Sequence, residues 1–110
     1  MAITQTQTKN PASVVQVVRG RYLDDAATPA AASLTTGFVP RAVKWLNLTD
    51  RIQYEWYEGM AADTTLKTVA NGTRSLETTD GITVSSTTGV ITIDADIILQ
   101  NKQYAWEAVN

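Results

Sequence analysis

No cysteine and no histidine occur among the 110 residues of this chain. Without thiols there is neither a disulfide framework nor a thiolate metal site. Without imidazole, the commonest general base and the commonest transition-metal ligand are missing together. Charged residues make up only 18% of the chain and the formal net charge is -2, whereas ordinary domains carry about 25%. Nucleic acid is bound through clustered Lys and Arg, so this balance excludes it as an expected partner. No apolar run approaches the roughly 18 residues of a membrane span, and MAITQTQTKNPAS has neither the basic start nor the apolar stretch of a secretory signal. The expectation is a chain folded in a cytoplasm, with no membrane, cofactor or metal. The Asn47 and Asn71 sequons then read as accidents of a Thr-rich composition.

What is present concentrates in residues 37–60, GFVPRAVKWLNLTDRIQYEWYEGM, which hold the only Phe and two of the three Trp. Val43 and Trp45 fall two apart, and Ile52, Tyr54 and Trp56 alternate with Arg51, Gln53 and Glu55, the period of a strand with one face buried. Asn47, Thr49 and Asp50 carry short polar side chains that bond nearby backbone, which predicts an antiparallel hairpin here. Pro40, lacking an amide hydrogen, fits just before the first strand. This hairpin should be the centre of the core.

In chain order, residues 1–12 are polar and without periodicity, and predict a flexible arm ahead of one domain over residues 13–110. Residues 13–19, SVVQVVR, read as the first strand. Residues 24–32, DDAATPAAA, read as a loop, because Pro29 and the lack of an apolar stripe oppose a helix. Asn71-Gly72, Asp80-Gly81 and Thr88-Gly89 read as turns, with Asp80-Gly81 the strongest hairpin signature. Ile91, Ile93, Ala95 and Ile97 share one face of a late strand, and Tyr104, Trp106 and Ala108 one face of the last. The predicted fold is all-β: a single antiparallel β-sandwich or jelly-roll-like barrel of about seven to nine short strands.

The chemistry is sparse. Asp24-Asp25, Glu55 with Glu58, and Asp94 with Asp96 are the carboxylate candidates. Glycosidase chemistry needs two carboxyls facing each other, one with a pKa raised by burial. Glu55 lies opposite Tyr54 and Trp56 and so reads as solvated, and no enzyme is expected. Asp94 and Asp96 share a strand face and offer oxygens to Ca²⁺, but no third ligand lies nearby in sequence and a solvated polar face explains them equally. Most of the aromatics read as core. Tyr57 is the ring expected to be exposed, since it faces away from Trp56.

Gly37-Phe38-Val39-Pro40-Arg41-Ala42-Val43-Lys44, Asn47-Leu48-Thr49-Asp50 and Glu55-Trp56-Tyr57-Glu58-Gly59-Met60 resemble small virion structural proteins of tailed bacteriophages. The likeness continues through Asn71-Gly72-Thr73-Arg74, Asp80-Gly81-Ile82-Thr83-Val84 and Tyr104-Ala105-Trp106-Glu107-Ala108. It is a pattern of turns and core strands rather than of a site. It implies a β-sandwich module of the head decoration or cement type, located on the virion head surface after assembly in the host cytoplasm. The implied partners are the major capsid protein and copies of the chain itself, as a trimer or another symmetric oligomer. The related alternative is a tail- or fibre-associated structural or carbohydrate-binding module. Capsid or subunit contacts are expected from the arm (Thr4, Gln5, Thr6, Gln7, Pro11), from the loop with Asp24, Asp25 and Pro29, and from the loop with Met60 and Asp63.

Overall fold

The computed structural model describes residues 16–110, so the expected arm, with Thr4, Gln5, Thr6, Gln7 and Pro11, lies outside the described residues. Eight strands follow one another: β1 (Val17–Tyr22), β2 (Ala32–Leu34), β3 (Ala42–Asn47), β4 (Ile52–Tyr57), β5 (Thr64–Thr68), β6 (Arg74–Val84), β7 (Ile91–Ile93) and β8 (Tyr104–Val109). One 3₁₀ turn, Ala95–Ile97, separates β7 from β8. All pairings are antiparallel and form one continuous sheet in the order β1-β8-β3-β4-β5-β6-β7-β2. The all-β antiparallel class expected from the alternation therefore holds, as a single sheet that curls on itself.

The central hairpin forms as its sequence predicts, with Trp45 opposite Tyr54 and Val43 opposite Trp56. Its turn is tied by the Asn47 side chain, whose Oδ1 accepts from the Asp50 amide at 2.9 Å. β8 covers the other side of β3, placing Trp106 beside Trp45 and Tyr104 beside Asn47. Trp45 and Tyr104 stack with ring centroids 5.0 Å apart, and Tyr22 of β1 tilts onto Trp45 at 5.4 Å. β1 runs through Gly20 with unbroken register against β8, so Gly20 starts neither a bulge nor a new strand. It accommodates Trp106 instead: a Cβ at this position would stand 2.5 Å from the indole.

Asp80-Gly81 does not turn the chain, contrary to its hairpin signature. Both residues lie within β6, which pairs with β5 through residues 74–77 and resumes with Ile82 opposite Thr64. Residues 78–81 have no partner in β5 and form a wide bulge. The two flanks do not bond each other: Leu76 faces Leu66 of β5, whereas Ile82 lies between Thr64 of β5 and Ile93 of β7. Bulges bend strands and sharpen twist, and the bend folds the β6-β7-β2 side of the sheet over the β8-β3-β4 side. One core results, an aromatic wall of Trp45, Tyr54, Trp56 and Tyr104 against an aliphatic wall of Ile82, Ile91, Ile93, Ile97 and Ile98. The hairpin read at Thr88-Gly89 does form, joining β6 to β7.

Candidate functional site

Strand alternation gives the sheet a second face, opposite the core. By register, one row on this outer face runs Arg21, Ala105, Leu46, Gln53, Thr68, Arg74. The next runs Arg19, Glu107, Lys44, Glu55, Leu66, Leu76. A third carries Val17, Val109, Ala42 and Tyr57. The middle row alternates charge across four strands, and opposite charges on neighbouring strands stabilise a sheet by up to about 1 kcal/mol per pair. Arg19 binds Glu107 at 2.8 Å, and Arg74 reaches Glu55 at 3.6 Å. No described segment forms a layer over this face. Val17, Tyr57 and Leu76 stand exposed on it.

Glu55 is the correction on this face. It is 8% exposed rather than solvated, because Gln53 and Tyr57, two residues to either side on the same strand, both hydrogen-bond its carboxylate. Arg74 supplies the charge that makes the burial tolerable. Tyr57 keeps an exposed ring, 42% accessible, with its hydroxyl donated to Glu55 at 3.0 Å. Its hydroxyl sits above the ordinary pKa, through partial burial and then the Glu55 carboxylate. Glu58 pairs with Arg41 at 3.6 Å, whereas Glu55 pairs with Arg74.

The second feature is a carboxylate cluster created by the β6 bulge. Asp80, Asp94 and Asp96 bring carboxyl oxygens within 4.8 Å of one another, and Asp63 adjoins them through Asp94. Asp94 and Asp96 do not share a strand face; β7 ends at Ile93, and Asp94 caps the 3₁₀ turn by accepting from the Asp96 amide at 2.9 Å. The Asp80 carboxyl is pushed up by a hydrogen bond with Asp96, by partial burial and by the neighbouring charges. That of Asp63 is pushed up by burial and by Asp94, against a lowering contribution from the Gly81 amide it accepts. The cluster offers the hard oxygen donors that Ca²⁺ or Mg²⁺ takes, with fewer protein ligands than Ca²⁺ normally gathers. Asp80 joins only through the bulge, and nothing local in the sequence signals that.

Among the described residues, the expected contact residues lie at different ends of the sheet. Asp24 and Asp25 sit at the turn end of the central hairpin. There the Asp24 carbonyl accepts from the Asn101 amide at 2.8 Å, and that of Asp25 accepts from Gln100 at 3.0 Å. Met60 lies at the opposite end, its Sδ accepting from the Tyr57 amide. Asp63 is a fastening for the bulge, with φ of 58° and a 3.0 Å bond from the Gly81 amide. Pro29 is half-buried in the loop leading to β2. No protein-family model matches the chain, nor does any curated protein or solved structure.

Proposed function

We propose that this chain is a virion structural protein of a tailed bacteriophage, a head decoration (cement) protein that binds the outer capsid at subunit junctions and stiffens the shell. The observation that supports this most is the bare outer face, where exposed Val17, Tyr57 and Leu76 are interspersed with ion-paired charges. A lattice protein needs broad, modest contact repeated many times, and multivalency turns weak individual contacts into firm attachment. Its partners in this reading are the major capsid protein and further copies of itself, and its role is non-catalytic. The test is add-back: purified chain mixed with shells lacking it should bind to saturation and raise their resistance to heat. Shells that neither retain the chain nor gain resistance overturn the reading.

The exposure of the Tyr57 ring favours a second reading, a tail or fibre module that stacks sugar on that ring. Under it, the chain binds cell-surface glycan, and Tyr57→Ala weakens that binding.

A further inference from the structure

β1 is the long edge of the sheet. Its far side has no partner strand among the described residues. In an antiparallel ladder, residues alternate between those that bond the neighbour and those that point away. The Asn110 amide donates to the Gln16 carbonyl at 2.9 Å, which makes Gln16 a bonded position. The backbone groups of Val17, Arg19 and Arg21 therefore face the open side. The opposite edge, β2, is only three residues long, whereas β1 spans six with neither proline nor bulge to blunt it.

The side chains above this edge state what fits it. Arg19 and Arg21 project from the outer face on alternate residues and line, with Leu46 and Ala105, an open trough of about 400 Å³. Arg19 reaches Glu107, yet its side chain remains 74% exposed. Arg21 has no carboxylate within ion-pair distance among the described residues. A second copy pairing β1 with β1 about Gly20 would set Arg19 against Arg21, and like charges directly opposite destabilise a sheet. The chain's own residues 1–15, MAITQTQTKNPASVV, contain no acidic residue to answer Arg21.

We propose that β1 is an acceptor edge for an extended segment of another protein that carries carboxylates at alternate positions. The segment adds as a ninth strand, bonding the backbone of Val17, Arg19 and Arg21. Its carboxylates stand on the outer face and engage Arg19 and Arg21, while the intervening side chains turn to the opposite face of the sheet. Backbone bonds supply affinity and the alternate side chains supply specificity, as in other strand-addition complexes. This goes beyond the cement reading, because it holds whatever assembly the chain enters.

The test is a titration of the isotope-labelled full chain with the peptide acetyl-Thr-Glu-Val-Glu-Val-Glu-Thr-amide and with its lysine counterpart, followed by amide shifts and hydrogen exchange. The acidic peptide should shift the Val17–Tyr22 amides and slow exchange at Val17, Arg19 and Arg21, with an effect that salt weakens. Arg21→Glu, at an exposed side chain, should weaken it about tenfold, the size of one charge-assisted bond, and should improve binding of the lysine peptide. The proposal is overturned if the acidic peptide leaves those amides unmoved, or if both peptides bind alike. It is equally overturned if the amides are already protected before peptide is added, whether by a second copy or by the chain's own first residues.

Discussion

Gly81 donates its amide to the Asp63 carboxylate at 3.0 Å, while its α-carbon stands so close to the next peptide that a Cβ would lie 2.6 Å from the Thr64 nitrogen. With the bonds of Thr83 to the Asp63 amide and of Thr65 to the Asp80 carbonyl, this contact fastens the bulge in β6. The obstacle is backbone, which cannot rotate aside, so Gly81→Ala should cost about 2–3 kcal/mol, the range of forced overpacking. Gly20→Ala meets only the Trp106 ring, which can tilt, and should cost about 1 kcal/mol. Thermal melts should show the first variant about 5–10 °C below the second. Equal melting temperatures would mean that the bulge is not held as described.

Asn47 is 3% exposed and ties the central turn to the core. Its Oδ1 caps the Asp50 amide, and its Nδ2 reaches Asp50 Oδ2 at 3.0 Å. Asn47→Ala should therefore cost about 1–3 kcal/mol, the penalty for leaving part-buried partners unbonded. Denaturant titration should show a lower midpoint with an unchanged slope.

The carboxylate cluster should oppose folding at neutral pH. Asp63 and Asp80 have raised pKa values in the folded chain. The folded state thus holds those protons more tightly than the unfolded state. The stability linked to them is present below the ordinary carboxylate range and is lost as pH rises through the raised values. Asp80→Asn should melt higher than the parent at pH 7, with the gain shrinking towards pH 3 and in high salt. A variant that melts lower than the parent at pH 7 would contradict this account.

Tyr54 should titrate late. Burial, followed by repulsion from Tyr104 and nearby carboxylates, pushes its hydroxyl up to about 12. Spectrophotometric titration should therefore show one tyrosine ionising well after an ordinary phenol, and Tyr54→Phe should remove that step. Stability linked to the neutral hydroxyl is present below pH 10 and lost as pH rises through 12.

Local features were legible in the sequence and distant pairings were not. Alternation around Trp45 and Trp56, with Asn47 and Asp50 between, identified the central hairpin because both strands and their turn lie within one short window. The Thr88-Gly89 turn was readable for the same reason. Asp80-Gly81 is no hairpin because that signature presumes that its flanks bond each other, whereas here both flanks bond β5 and the second also bonds β7. β2 shows no period of its own, since it has only three residues, and its partner β7 lies far along the chain. Alternation places Glu55 on the outer face and does not show that Gln53 and Tyr57 close over it there. The sequence shows Asp94 and Asp96 as a pair, but Asp80 reaches them only through the bulge.

The cement reading is tested most directly by the copy number of this chain in purified virions, relative to the major capsid protein, by quantitative mass spectrometry. The cement reading predicts copies in fixed stoichiometry with the capsid lattice, on the order of hundreds per particle, as repeated attachment at lattice junctions requires. A few copies per particle, or none, would contradict it.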